Sequence, residues 1–196
     1  MSDHDEVEGR IVRLSIDEAR SRATAADLPE TLSELSVFRI ALTNPVIAKA
    51  VSQQLLALLY RGRLDPRLRE LAIMRIGWST GSEYEWTQHW RVATELGMQP
   101  EDILGVREWT THSGYGGIER AVLAATDEVL ASGIISDGTW QSLRDELDDD
   151  GVLFELVVAI GNWQLFSNLL RTLKVPLEDG VQPWPPDGRR PATFPG

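Results

Sequence analysis

Apolar residues at helical spacing are the feature of this sequence that most limits what it can fold into. Leu28, Leu32, Leu35, Phe38 and Leu42 recur at intervals of three and four, and later segments repeat the pattern. Strand-like alternation is hard to find. We therefore predict an all-α fold, a helical bundle of about seven or eight helices.

Start and stop signals divide the chain further. Asn44-Pro45 and Asp65-Pro66 are typical helix starts, because an N-cap side chain precedes a proline in the first turn. The predicted organisation is an N-terminal arm (1–26), a helical domain (27–178) and a proline-rich extended tail (179–196). Trp184 and Phe194 leave two interpretations of the tail open, docking on a surface such as a neighbouring subunit, or a frayed terminus.

Charge and cysteine content exclude several classes of function. The net charge is -11, which disfavours nucleic acid and anionic membranes as partners. The chain has no cysteine, so disulfide scaffolds, thiolate zinc sites and thiol redox catalysis are excluded. The acidic first residues do not resemble an export signal, and the most apolar run is interrupted by polar residues. We expect a cytoplasmic protein.

One stretch brings acids and an imidazole together. Glu85 and His89 are four residues apart on one predicted helix, so their side chains are neighbours on a partly apolar face. Burial raises the pKa of a carboxyl group and a nearby carboxylate raises that of imidazole, so such a pair can exchange a proton near neutral pH. Glu70 lies in an apolar stripe of the preceding helix and needs a partner, which an antiparallel packing would supply.

Simpler interpretations compete with this cluster. Ser82-x-x-Glu85 has the pattern of a capping box, which would explain both residues by helix-start chemistry. Glu70 would pair with Arg67 three residues earlier, and His89 and Trp86 would be core residues. A metal site formed by one imidazole and two acids is a weaker hypothesis, because the spacing matches no ligand motif.

The same stretch resembles the carboxymuconolactone decarboxylase family, whose superfamily includes alkylhydroperoxidase D-like proteins. The resemblance is carried by the blocks 67–73 and 81–89, and more loosely by 96–97 and 161–178. The peroxidase branch has a Glu, eleven residues, Cys, two residues, Cys, three residues and His. Those positions fall here on Glu70, Ser82, Glu85 and His89, so the acid and the imidazole are kept and both sulfurs are absent.

The resemblance implies a decarboxylase-like function rather than a peroxidase. Members of that branch act without metal or organic cofactor on small carboxylated lactones, and assemble as trimers or hexamers with pockets near subunit contacts. We assign His89 as general acid/base, Glu85 as its proton partner and Glu70 as an orienting or relaying acid. The expected ligand is a small carboxylate or lactone, with no cofactor and no metal. A non-catalytic oligomeric ligand-binding or scaffold protein on the same fold is the alternative.

Further residues are assigned to substrate binding. Ser82, at a helix N-terminus, would help backbone amides hold an anionic group. Arg75 is a candidate cation for the substrate, although it would equally pair with Glu70. The remaining candidates are pocket walls and residues of the glycine-rich loop, which would otherwise be ordinary core or surface groups: Tyr60, Trp86, His112, Tyr115 and Trp163.

Overall fold

The computed structural model describes residues 9–192, and within them it contains nine α-helices and no strand. The all-α prediction is confirmed. The helices are α1 (Ile16–Ala25), α2 (Ser36–Ala41), α3 (Pro45–Tyr60), α4 (Pro66–Thr80), α5 (Glu83–Glu95), α6 (Pro100–Gly105), α7 (Gly117–Ser132), α8 (Asp137–Glu146) and α9 (Asp150–Leu173). Two short 3-10 segments cover Glu30–Glu34 and Val106–Glu108.

The sequence predicted about seven or eight helices, and α1 was not among them, because it lies in the segment expected to be an arm. Its helix start is clear in the structure, where the Ser15 and Glu18 side chains form a reciprocal capping box. Its buried face consists of Ala19 and Ala23 alone. Two small side chains give a weak apolar signal, so the periodicity did not reveal this helix.

The described residues divide into two compact units. The first comprises residues 9–60 and 169–181, with α1 to α3 and the end of α9. Its core contains Ala19, Ala23, Leu28, Leu42 and Ala48. The second comprises residues 61–168 and 182–192, with α4 to α8 and most of α9. Within this second unit α4 packs on α5 and on α7.

The turn between α4 and α5 sets the relation between these two helices. Gly81 ends α4 in the left-handed conformation (φ 69°), which glycine adopts without strain. A Cβ atom on Gly77 would lie 3.1 Å from the backbone nitrogen of Trp86, so the missing side chain permits close approach. Glu70 and Gly77 are two turns apart on one face of α4. This face therefore packs directly against the face of α5 that carries Glu85.

Part of the proline-rich tail docks on its own chain. Trp184 is buried and contacts the rings of Trp78 and Trp86, and its indole N–H donates to Glu83 Oε2 at 2.7 Å. Asp187 forms a bidentate ion pair with Arg107, at 2.7 and 2.9 Å. This contact favours the docking interpretation over the frayed terminus for these residues.

The guanidinium of Arg107 also lies over the rings of Trp78 and Trp86, 4.5 Å and 4.8 Å from their centroids. Phe194, which the sequence analysis grouped with Trp184, lies outside the described residues.

In the described part of the chain, one helix is long and apolar enough to cross a membrane, and it is α9. One side of α9 is buried through Leu153, Leu156, Ile160 and Trp163, as in a core helix. Phe154, Val157 and Leu165 lie on the opposite, exposed side.

Candidate active site

Glu70 and His89 form a buried hydrogen-bonded pair. Glu70 is fully buried on α4, and its Oε2 lies 2.7 Å from Nδ1 of His89 on α5. Its other oxygen, Oε1, accepts a hydrogen bond from Nε of Arg69 at 3.0 Å. Arg69 is itself buried, so the Glu70 charge is balanced inside the protein. The carboxylate therefore holds the imidazole ring in one orientation.

Glu85 faces the other nitrogen of the same ring. Its Oε2 lies 3.5 Å from Nε2 of His89, one helical turn along α5. Burial raises the pKa of Glu85 to about 7, against a smaller lowering by His89, and Glu70 adds to the rise. Burial opposes a charged His89, but the neighbouring carboxylates Glu70 and Glu85 outweigh it and raise the pKa of the ring. Both groups of the pair can thus exchange a proton near neutral pH.

Trp163 of α9 completes the surroundings of the imidazole. Its indole N–H donates to Nε2 of His89 at 3.0 Å, and the two rings meet edge to face at 86°. Trp163 is 1% exposed, so this contact is shielded from water. The sequence analysis placed Trp163 as a pocket wall, and the structure places it in direct contact with the proposed acid/base.

Ser82 does not act as a helix cap. It occupies the N-cap position of α5, yet its side chain accepts no capping hydrogen bond. Its Oγ is buried and has no hydrogen-bond partner. Thr80-x-x-Glu83 has the same capping pattern two residues earlier, but the Thr80 hydroxyl bonds to the Ile76 carbonyl and to Ser167 instead. The capping interpretation therefore fails for both residues.

The two arginine interpretations from sequence also fail. Arg67 pairs with Asp102 at 3.0 Å and with Glu119 at 3.6 Å, not with Glu70. Arg75 forms a bidentate ion pair with Asp127, at 2.6 and 2.9 Å. The cation beside the buried acid is Arg69, the residue next to Glu70 in sequence.

The surroundings of the other predicted binding residues differ from those of His89. Trp86 is fully buried among tryptophan rings and donates its indole N–H to the Pro185 carbonyl at 2.7 Å. His112 and Tyr115 contact each other in the loop before α7, and the Tyr115 hydroxyl donates to the Asp102 carbonyl. Tyr60 ends α3 with 76% of its surface exposed. Their assignment to substrate binding stays a prediction.

The described residues offer two further observations on ligands. No group of three or more His, Asp or Glu side chains within residues 9–192 is arranged to hold a metal ion. A depression of about 310 Å³ lies beside the start of α4 and the end of α5. Its lining residues are Asp65, Pro66, Arg67, Leu96, Gly97 and Met98, and none belongs to the His89 cluster.

The sequence did not predict two contacts of this site, that of Arg69 with Glu70 and that of Trp163 with His89. Arg69 follows from no pairing rule, since residues i and i+1 of a helix do not face each other. A cation next to that acid, in a stretch that is otherwise apolar from Leu68 to Met74, was the available signal. Trp163 is 74 residues from His89, so no local pattern connects them.

Comparison with known proteins supports the family resemblance. The model of the carboxymuconolactone decarboxylase family matches residues 45–128. No curated protein matches the chain at a significant level.

Several solved structures share the fold. An uncharacterised peroxidase-related protein with the alkylhydroperoxidase AhpD core, from Ralstonia eutropha, has a TM-score of 0.71 at 17% identity, covering 89% of this chain and 94% of that one. A protein of unknown function from Agrobacterium tumefaciens has a TM-score of 0.64 at 21% identity, covering 70% and 94%. The debrominase Bmp8, with 2,3,4-tribromopyrrole bound, has a TM-score of 0.67 at 15% identity, covering 91% and 95%.

Proposed function

Since residues 45–128 match the model of the carboxymuconolactone decarboxylase family, we propose that this chain is a cofactor-independent lyase or isomerase. Its expected substrate is a small carboxylate or lactone, and its chemistry is proton transfer. The observation that carries this proposal is the buried Glu85–His89 pair, with Glu70 bonded behind the imidazole.

The absence of cysteine separates the chain from the thiol peroxidases of this superfamily. Reduction of a peroxide by a dithiol needs a thiolate that attacks oxygen and a second sulfur that closes the disulfide. The corresponding positions hold Ser82 and Glu85, which cannot supply the two electrons. Proton transfer is the chemistry that remains available to these side chains.

The proposed reaction uses His89 and Glu85 for proton transfer and Glu70 to orient the imidazole. When a carboxylate leaves its carbon as CO₂, the electron pair of the broken C–C bond stays behind as an enolate-like carbanion. A proton from the His89–Glu85 pair neutralises that carbon, and the pair takes up a proton from water afterwards. Glu70 keeps its hydrogen bond to Nδ1 throughout and so fixes the ring. In an isomerase the same pair would remove and return a proton without loss of CO₂.

Ser82 is the proposed contact for the anionic part of the substrate. Its buried Oγ has no partner in the protein, and it precedes the first turn of α5, where helix N-termini favour negative charge. A buried hydroxyl without a hydrogen bond costs free energy, about 1–3 kcal/mol, that a ligand oxygen would recover. Trp86 and Tyr60, as pocket walls, and His112 and Tyr115, as residues of the glycine-rich loop, remain proposed binding residues from the sequence alone.

The test is turnover of a panel of carboxylated lactones by the purified protein, followed by CO₂ release and by ultraviolet absorbance. We expect His89→Ala and Glu85→Gln to lose at least about a hundredfold in rate, the usual contribution of general acid–base catalysis. Glu95→Gln is the matched control, because Glu95 is exposed on the same helix. Full activity in both site variants would remove the pair from the mechanism. A folded protein that turns over none of the panel would support the alternative of a non-catalytic ligand-binding or scaffold protein.

A further inference from the structure

The hydrogen bonds of His89 define where its proton lies. An indole N–H is a donor only, so the Trp163 contact at 3.0 Å requires a lone pair on Nε2. Nδ1 faces the Glu70 carboxylate at 2.7 Å, and a carboxylate accepts. Both contacts are satisfied by one form alone, the neutral imidazole with its hydrogen on Nδ1.

We infer that Trp163 is a positioning residue that favours this neutral form of His89, against the pull of the carboxylates, until a substrate oxygen takes over the indole N–H. This inference rests on the proposed function, because it assigns His89 to proton transfer. It gives Trp163 a role beyond that of a pocket wall.

The indole N–H of Trp163 and a proton compete for Nε2 of His89. If Nε2 is protonated while Trp163 stays in place, two N–H donors face each other and one buried hydrogen bond is lost, at a cost of about 1–3 kcal/mol. The same proton would find an acceptor in Oε2 of Glu85, 3.5 Å away. His89 therefore has two arrangements, a neutral ring bonded to Trp163 and a charged ring facing Glu85.

The charged groups around the ring come from two helices. Glu70 and Glu85 favour the charged ring and Arg69 disfavours it, as does burial. Trp163, on α9, also disfavours the charged ring, because a donor that bonds the neutral form lowers the pKa of the ring. A substrate carboxylate or lactone carbonyl that accepted the indole N–H would remove this restraint and raise the basicity of His89 when the substrate is bound.

Nitrogen-15 NMR of the histidine rings tests the inference without a substrate. The chain has three histidines, so assignment is direct. In the native protein we expect a protonated Nδ1 and an unprotonated Nε2 for His89 while the ring is neutral. In Trp163→Phe the midpoint of His89 titration should move up by about one pH unit, the equivalent of one lost hydrogen bond. An unchanged midpoint in the folded variant, or a neutral native ring protonated on Nε2, would overturn the inference.

Trp86→Phe is the matched control. It also removes a fully buried indole N–H, which donates to the Pro185 carbonyl at 2.7 Å, but that N–H does not contact His89. Its His89 titration should equal that of the native protein, and an equal shift in both variants would contradict a specific role for Trp163.

A measurement on the native protein covers the case in which Trp163→Phe does not fold. The Trp163 indole N–H resonance should move with the His89 titration, and an indole resonance insensitive to it would count against the inference. Turnover is read separately, so inactivity on every lactone would refute the proposed function and leave the NMR result standing.

Discussion

Replacing Glu85 by Gln should change how the stability of this protein depends on pH. Burial of Glu85 raises its pKa from 4.5 to about 7, so the folded state holds a proton that the unfolded chain releases between those values. Stability therefore falls as pH rises through this window. The shift corresponds to about 3 kcal/mol of lost stability at the alkaline end. Glutamine cannot titrate and carries no such loss.

Urea denaturation from about pH 4 to about pH 8 measures this effect. We expect the free energy of unfolding of Glu85→Gln, relative to the native protein, to increase by about 3 kcal/mol across the range. His89, whose pKa is also raised, contributes stability below its unfolded pKa that is lost as pH rises through the folded value. Glu70, which both proteins have, is the main cause that raises the His89 pKa, so most of this His89 contribution cancels in the difference between them. Glu95→Gln, exposed on the same helix, should give a constant difference. Parallel pH profiles for the native protein and Glu85→Gln would refute the buried-acid argument.

Three further predictions concern the tail and the assembly. Trp184→Ala should cost about 3–5 kcal/mol, seen as a drop in Tm on the order of 10 °C, whereas Ile134→Ala, at a 71% exposed position, should change it little. The Arg107 guanidinium lowers the pKa of Asp187 to about 2. After allowance for partial exposure, the native protein should be more stable than Asp187→Asn by about 1 kcal/mol at pH values above about 4, and this advantage should vanish as pH falls through about 2. Light scattering should give three or six times the 21.9 kDa of one chain, whereas a monomer mass would contradict the proposed trimer or hexamer.

The sequence predicted the helices whose apolar residues are large and whose starts carry caps. Asp65-Pro66 predicted the start of α4, and the structure shows the Asp65 side chain accepting from the Arg67 and Leu68 backbone. Helical periodicity did not predict α1, because alanines alone form its buried face. Between 28 and 42, the helical spacing of leucines wrongly predicted one continuous helix. There the extended backbone of Leu35 separates a 3-10 segment from α2.

The site was predictable only as far as its residues are local. Glu85 and His89 share a helix face, which spacing alone reveals. The placement of Glu70 followed from antiparallel packing across a short turn. Two partners that affect the protonation of His89 could not be predicted in this way. Trp163 is 74 residues from His89, and Arg69 is adjacent to Glu70 in sequence, where side chains on a helix do not face each other. The Arg107–Asp187 ion pair spans 80 residues and belongs to the same class of long-range contact.

In the pattern that resembles the peroxidase branch, this chain has the acid and the imidazole but neither sulfur, and this has a physical consequence. The resemblance implies that an acid and an imidazole move protons while the sulfurs carry electrons, so the proton-transfer groups stay useful where the sulfurs are absent. Glu85 then stands in one sulfur position as a carboxyl with a pKa of about 7, which can give up or accept one proton near neutral pH. Ser82 stands in the other as a buried hydroxyl without a partner. We therefore expect the site to act on a substrate that supplies its own leaving group, such as CO₂, because the protein side chains can offer it protons but no electrons.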